Sequence, residues 1–149
     1  MNTINIETPL GRMYLASDGE NITELRFGSC ETDTPDAVLI KAKAELSEYF
    51  AGTRKSFTVP LKPEGTDFQQ KVWRALREIP YGETATYGEI ARRIGNTKAC
   101  RAVGMANNRN PIAIIVPCHR VIGADGSMTG YAGGISKKEF LLNLEAQRR

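Results

Sequence analysis

Apolar and polar residues alternate in the first part of the chain. The apolar residues of this pattern fall in three segments, Ile4 to Ile6, Met13 to Leu15 and Ile22 to Phe27, with turn residues between them. A period of two bounded by turn residues is typical of antiparallel strands that bury one face. The pattern therefore predicts a three-stranded β-meander.

Helical spacing of apolar residues follows the meander. We expect Thr34 to be the N-cap and Pro35 the first helical residue, because proline fits the first turn of a helix. Gly52 is expected to end this helix. A short strand at Phe57–Leu61 is then predicted to complete the first lobe.

A change of composition at residues 62–65 predicts the domain boundary. This Lys-Pro-Glu-Gly stretch contains the two residue types that most often interrupt regular structure. We expect an N-terminal α/β lobe over residues 1–62 and a C-terminal domain over residues 66–149.

The C-terminal part is predicted to be mostly helical, which makes the fold class α+β. A Ser or Thr followed three residues later by Glu or Gln forms a capping box at a helix start. Three such pairs occur, at Thr66/Gln69, Thr86/Glu89 and Ser136/Glu139. The apolar run 111–117 is bracketed by prolines and is predicted to be a buried extended segment.

Residues 86–108 have the spacing of a helix-turn-helix. A capped helix from Thr86 is followed by a break at Gly95-Asn96 and by a second helix from about Thr97. On spacing alone, a helical hairpin in any bundle is the simpler interpretation. Residues 84–109, however, carry five Lys or Arg and one Glu, a net charge of +4, which favours a phosphate-binding face.

Composition and charge narrow the class of protein. The chain has 149 residues and a mass of 16.4 kDa, and its 41% hydrophobic and 25% charged residues are ordinary for a globular protein. The net charge of +3 is unevenly divided. Residues 1–65 hold 7 Lys+Arg and 10 Asp+Glu (net −3), while residues 66–149 hold 13 and 7 (net +6). The second half is therefore expected to meet a polyanion.

Targeting and metal-binding signals are not found in the sequence. No run of about 18 apolar residues and no signal-peptide pattern occurs, so we expect a cytoplasmic protein with no membrane partner. Three widely spaced cysteines and one histidine argue against a disulfide framework and a zinc site. No metal and no cofactor is expected.

Cys118 is the candidate nucleophile. A cysteine in an apolar segment is usually an inert hydrophobic residue, and we keep that interpretation for Cys30 and Cys100. His119 and Arg120 place positive charge next to Cys118, and such charge lowers a thiol pKa from about 8.5. A thiol protease is one alternative, but neighbouring side chains diverge, so a Cys118–His119 contact would need a bridging water or a bend.

Several motifs together resemble the O6-alkylguanine-DNA alkyltransferases, also called methylated-DNA–protein-cysteine methyltransferases. The motifs are Pro117-Cys118-His119-Arg120-Val121, Asn110-Pro111, the helix-turn-helix with Tyr87 and Arg101, Gly130-Tyr131-Ala132-Gly133-Gly134, and Thr8-Pro9-Leu10-Gly11 in the first lobe. The resemblance implies a ribonuclease-H-like N-terminal lobe, with an antiparallel sheet and a helix, and a C-terminal winged helix-turn-helix domain.

The same resemblance implies repair of DNA by direct reversal. Such a protein flips O6-alkylguanine, with O4-alkylthymine as a second candidate, out of double-stranded DNA and transfers the alkyl group to its own cysteine. By this resemblance Cys118 is the nucleophile, His119 takes its proton through a water, and Glu145 orients the imidazole. A thiolate suits displacement at saturated carbon, and the thioether product has no ready hydrolysis route, so each molecule acts once.

The resemblance also implies further contacts. Asn110 holds the turn that contains the cysteine, and Tyr87 donates toward N3 of the purine. Backbone groups of Cys118 and Val121 accept the exocyclic amine, and Arg101 fills the space left by the flipped base, unless it only contacts a phosphate. The other implied residues are Pro117, Tyr131, Ala132 and Gly133 for the substrate, with a main-chain donor to O6 from residues 131–134, and Thr86, Asn96, Ala99, Ala102 and Arg109 for DNA.

The chain departs from the family pattern at a few positions. Ala132 stands where some members have serine, which alters the pocket wall. Asn107 and Asn108 stand where a glycine is frequent, and we expect them to form a left-handed helix cap. The zinc site that some members have in the first lobe is not expected, since the only histidine is His119.

Two other functions are compatible with part of the sequence. A binding-only alkyltransferase-like protein would recognise the lesion, but such proteins lack the cysteine. A transcription regulator with a winged helix would explain the positive charge, but it gives no role to Cys118 and His119.

On the residues alone, Glu145 is equally well a solvated helix carboxylate. We expect a monomer in solution.

Overall fold

The three alternating runs form one antiparallel sheet. In the computed structural model, which describes residues 1–128, 131 and 133–148, strands β1 (Asn2–Thr8), β2 (Gly11–Ser17) and β3 (Ile22–Phe27) pair in that order. Leu15 lies opposite both Ile4 and Leu25, and all three are buried. The predicted β-meander is confirmed.

Helix α1 (Ala37–Phe50) begins later than predicted. Its N-cap is Asp36, whose carboxylate accepts the Leu39 N–H at 2.8 Å. Thr34 instead pairs beside β1, since its N–H donates to the Thr3 carbonyl at 2.7 Å and its hydroxyl accepts the Thr3 N–H at 2.8 Å. The prediction of Thr34 as the cap was wrong because a tertiary contact engages it.

The predicted strand at residues 57–61 is reduced to a single bridge between Leu61 and Ile22. The buried carboxylate of Glu45 takes the backbone donors of Thr58 at 2.9 Å and of Val59 at 3.3 Å. A strand needs those N–H groups for a neighbouring strand, so the Glu45 side chain replaces the expected pairing.

The run 111–117 is buried, as its apolar composition indicates, but it is not extended throughout. Ile112 bridges Leu25, with the Ala113 N–H donating to the Leu25 carbonyl at 3.0 Å. The chain then turns, and Ile114 has a φ of 71°, a left-handed conformation that β-branched residues rarely adopt. The chain forms two compact units, Met1–Glu64 with Pro111–Ile115, and Gly65–Asn110 with Val116–Arg149.

The second unit contains helices and a small parallel sheet. Its elements are α2 (Asp67–Arg77), β4 (Ala85–Thr86), α3 (Tyr87–Arg93), α4 (Cys100–Asn108), a 3-10 turn (Cys118–Arg120), β5 (Val121–Ile122) and α5 (Ile135–Arg148), with β4 paired to β5. The α+β class is confirmed. Helix α2 packs on α4, where the Trp73 indole N–H donates to the Ala106 carbonyl at 2.9 Å.

Helix ends in this unit partly follow the sequence signals. The capping boxes at Thr66 and Thr86 both form. The third prediction was wrong, because α5 begins at Ile135 and Ser136 lies inside its first turn. The left-handed cap was also wrong. The C-cap of α4 is Arg109, with a φ of −94°, and Asn107 and Asn108 belong to the helix itself.

Candidate active site

Cys118 lies at the start of the 3-10 turn that follows Pro117. Its side chain is 7% exposed, and its backbone N–H donates to the Val116 carbonyl at 2.8 Å. The Asn110 amide N–H donates to the same carbonyl at 2.8 Å, and the Asn110 side chain also hydrogen-bonds to Cys118. Asn110 therefore joins the end of the α4 segment to the turn that presents the thiol.

A buried cluster of charge lies beside this turn. Glu145 of α5 is fully buried, and the His119 Nε2–H donates to its Oε2 at 2.6 Å. Arg120 holds both carboxylate oxygens, through Nε at 2.8 Å and Nη2 at 3.0 Å, and the Gly82 N–H donates to Oε1 at 3.2 Å. The third guanidinium nitrogen, Nη1, donates to the Ile79 carbonyl at 2.8 Å.

The charge state of this cluster follows from its contacts. Burial would raise the pKa of Glu145, but its hydrogen bonds with His119 and Arg120 outweigh this and hold the pKa well below its usual range. Burial lowers the pKa of His119, although Glu145 opposes the change. At neutral pH the carboxylate is ionised and the imidazole is neutral.

The contact with Glu145 also fixes the imidazole tautomer. An ionised carboxylate accepts hydrogen bonds only, so the proton of the neutral ring lies on Nε2. Nδ1 is then a free acceptor, and it is buried without a hydrogen-bond partner among the described residues. His119 can therefore accept a proton at Nδ1.

The thiol of Cys118 is not activated in the way that the sequence suggested. Burial raises its pKa, and the hydrogen bond from Asn110 and the charge of Lys138 oppose this only in part. Arg120 does not supply positive charge to the sulfur, because its side chain is engaged with Glu145. The resting thiol is therefore protonated at neutral pH.

Lys138 is a residue of the site that the sequence analysis missed. Its side chain is fully buried in α5, and its ammonium group donates to the Val121 carbonyl at 2.5 Å. Burial lowers the pKa of Lys138, and the nearby Cys118 opposes this. The only available signal was its spacing of seven residues from Glu145, which places both side chains on one face of α5.

The residues predicted to line the substrate pocket are partly described. Pro117, Val121 and Tyr131 are buried, and Gly133 is half-buried. Burial raises the pKa of Tyr131, and a thiolate at Cys118 raises it further, so the phenol stays neutral. Ala132 lies outside the described residues.

The predicted DNA-contact residues lie on β4, α3, the turn before α4, α4 itself and the residue that follows it. Thr86 caps α3, and the ring of Tyr87, its first residue, faces Gly104 of α4. A Cβ on Gly104 would lie 3.8 Å from the Tyr87 ring. Of the remaining residues, Ala99 is buried, and Asn96, Arg101, Ala102 and Arg109 are exposed.

The described residues contain neither a metal-binding cluster nor a membrane-spanning helix. No group of three or more His, Cys, Asp or Glu residues in the described ranges could hold a metal ion. No helix of the described part of the chain has the length and apolar character needed to cross a membrane.

Two family models together match most of the chain. Residues 3–63 match the ribonuclease-like domain of 6-O-methylguanine DNA methyltransferase, and residues 67–147 match its DNA-binding domain. The methylated-DNA–protein-cysteine methyltransferase of Methanosarcina mazei is 69% identical over 148 residues, which cover 94% of each chain. Its counterpart in Methanosarcina acetivorans is 58% identical over 147 residues, covering 93% of this chain and 94% of the relative. The crystal structure of Mycobacterium tuberculosis OGT in complex with DNA superimposes with a TM-score of 0.92 at 53% identity, covering 99% of this chain and 94% of that one.

Proposed function

Because the chain belongs to the 6-O-methylguanine DNA methyltransferase family, we propose that it repairs DNA by moving the alkyl group from O6 of guanine to Cys118. The carbon–oxygen bond of the lesion breaks and a carbon–sulfur bond forms. The guanine keeps the electron pair of the broken bond and takes up the proton that the thiol gives up, so guanine is restored. The observation that carries this proposal is a buried thiol next to an imidazole whose Nδ1 is a free acceptor. The product is a thioether, so one molecule repairs one lesion.

The proton of Cys118 leaves through His119. Since burial raises the pKa of the thiol, a base must take its proton during the reaction. His119 Nδ1 fills this role through a bridging water. Ionised Glu145 then stabilises the imidazolium that forms, and Arg120 positions Glu145 by holding both of its oxygens. Lys138 stabilises the thiolate by its positive charge.

The leaving guanine needs hydrogen-bond donors as its O6 bond breaks. Tyr87 donates toward N3, and a main-chain N–H of residues 131–134 donates to O6. The carbonyls of Cys118 and Val121 accept the exocyclic amine, and Asn110 holds the turn of the thiol. Pro117, Tyr131, Ala132 and Gly133 complete the pocket.

The lesion reaches Cys118 by leaving the base stack. A thiol that is 7% exposed has no access to an atom inside a stacked duplex, so the nucleotide is flipped into the pocket. Arg101, exposed in the first turn of α4, fills the space that the base leaves. The other DNA contacts are those of Thr86, Asn96, Ala99, Ala102 and Arg109.

The protein acts as a monomer in the cytoplasm, on alkylated guanine and, as a second substrate, on O4-alkylthymine. Two observations support the cytoplasmic location and the monomer. Cys30, Cys100 and Cys118 are all free thiols, as in a reducing compartment. The cluster of Cys118, His119 and Glu145 also lies within one unit of one chain.

Mass spectrometry tests the proposal directly. After incubation with duplex DNA containing O6-methylguanine, the peptide that contains Cys118 should gain one methyl group. Cys118→Ser should abolish the gain and retain DNA binding, while Cys100→Ser, at an exposed thiol, should leave the gain unchanged. A protein that gains no methyl group, or gains it elsewhere, would contradict the proposed function.

The role of Arg101 needs a separate comparison. Arg101→Ala should slow repair of duplex DNA more than reaction with the free base O6-methylguanine, because only the duplex has a base stack to fill. Equal losses with the two substrates would show that Arg101 does not act in flipping.

A further inference from the structure

Asn107 is a buried polar residue that the proposed reaction does not use. It lies in α4 with 1% of its surface exposed. Both its Nδ2 and its Oδ1 are buried without a hydrogen-bond partner among the described residues. A buried amide that makes no hydrogen bond is unfavourable, so its presence suggests a partner that binds.

The position of Asn107 on α4 indicates which partner that is. Gly104, three residues before it, faces the ring of Tyr87. Asn110, three residues after it, hydrogen-bonds to Cys118, and the Asn110 N–H reaches the Asn107 carbonyl at 3.4 Å. Residues three apart on a helix are neighbours on one face, so Asn107 and Gly104 share a face of α4, while Asn110 follows two residues after the helix ends. Asn107 therefore lies between the residue proposed to contact N3 and the residue that holds the thiol.

The chemistry of the lesion leaves a place for this amide. The contacts proposed above provide for N3, the exocyclic amine and O6, and they leave N1 and N7 without a donor. Both are hydrogen-bond acceptors in an O6-alkylated guanine. We propose that the Asn107 amide N–H binds one of these two ring nitrogens in the flipped lesion. This inference rests on the proposed function.

Binding at Asn107 requires the pocket to open slightly. The amide atoms are covered in the free protein, and Cys118 itself is only 7% exposed. The purine therefore displaces neighbouring side chains when it reaches either residue. In the free protein the Asn107 amide makes no hydrogen bond with the described residues. Its hydrogen bond to the purine is therefore gained without losing another, and it increases the affinity for the lesion.

Deaza analogues test the inference. Methyl transfer to wild type and to Asn107→Leu should be timed on duplexes containing O6-methylguanine, its 7-deaza analogue or its 1-deaza analogue. On O6-methylguanine the variant should be about threefold to tenfold slower, the range expected for one lost hydrogen bond. On the analogue that lacks the bonded nitrogen, wild type and variant should react at the same rate. Asn107→Leu at the wild-type rate, or equally slowed on all three substrates, would overturn the inference.

Two controls separate a binding role from a structural one. Leucine has nearly the shape of asparagine, so Asn107→Leu should unfold at or above the wild-type temperature if the amide has no partner in the free protein. A large loss of stability in both Asn107→Leu and Asn107→Ala would show instead that the amide holds a structural water, and would overturn the inference. Asn108→Leu, at the exposed neighbour, should change no rate. Methylation of Cys118 in the wild type reports separately on the proposed function.

Discussion

Replacement of Glu145 by glutamine tests the centre of the proposed mechanism. The change keeps the shape of the side chain and removes its charge. In the wild type, this carboxylate accepts hydrogen bonds of 2.6, 2.8 and 3.0 Å from His119 and Arg120. The variant leaves the buried Arg120 guanidinium without a counter-charge.

The expected loss of stability follows from that unpaired cation. Removing one partner of a buried ion pair costs about 3–5 kcal/mol. The amide oxygen of glutamine still accepts one or two of the hydrogen bonds, so we expect the lower end, about 3 kcal/mol. For a chain of this length such a loss lowers the Tm by roughly 6–12 °C.

The same substitution should change the pH dependence of stability. Because the folded pKa of Glu145 lies below its unfolded value of about 4.3, the stability that its charge provides is complete above that pH and is lost as the pH falls further. The difference in Tm between wild type and Glu145→Gln should therefore be constant at neutral pH. It should shrink below a pH of about 4.3.

Methyl-transfer kinetics provide the decisive assay. A glutamine amide can donate to Nε2, which moves the imidazole proton to Nδ1 and removes the free acceptor there. By analogy with other orienting carboxylates, transfer to Cys118 should slow by about 10²- to 10⁴-fold, measured in single-turnover reactions at 25 °C. A variant that remains folded and transfers at the wild-type rate would refute the assignment of His119 as the base.

Three further predictions concern other residues. The transfer rate should stay constant as the pH falls through 6.5 and decline only below it, since burial lowers the pKa of His119; a decline centred above 6.5 in a pH–rate profile would contradict this. Lys138→Met should slow transfer about tenfold, because a change of one unit in the thiol pKa corresponds to a factor of ten. Lys137→Met is the control and should transfer at the wild-type rate. Equal rates in the two variants would show that Lys138 has no role in the mechanism. Gly65→Ala should destabilise the protein by about 1–3 kcal/mol in a denaturant titration, because its Cβ would lie 2.4 Å from the Trp73 ring; an unchanged midpoint would contradict that contact.

Local signals predicted the parts of the fold that depend on local structure. Alternation identified the three strands, and the capping boxes at Thr66 and Thr86 formed because both partners lie within one turn. The start of α1 was misplaced because Thr34 and Asp36 are both good caps. Distant residues select between them, since Thr3 engages Thr34 and Asn2 donates to Asp36. Side-chain contacts between residues that are distant in the sequence leave no pattern in the local sequence.

In the candidate site, too, the sequence predicted features of neighbouring residues and missed contacts between distant ones. Cys118 and His119 stand out because they are adjacent in a distinctive motif. The sequence could not show that Arg120 is engaged with Glu145, 25 residues away, or that Lys138 lies near the thiol. The apolar run 111–117 predicted burial, but apolar character says nothing about φ, so the turn at Ile114 was missed.

The covered thiol has a consequence for the useful lifetime of each molecule. In the proposed function each molecule reacts once, so any accidental reaction of Cys118 removes that molecule from repair. Oxidants and soluble alkylating agents react with exposed thiolates rather than with thiols. The raised pKa and low exposure of Cys118 keep it in the unreactive form until a lesion enters, while Cys100 is exposed to such reagents. In the proposed function, the sulfur is thus kept unreactive until an alkylated base reaches it.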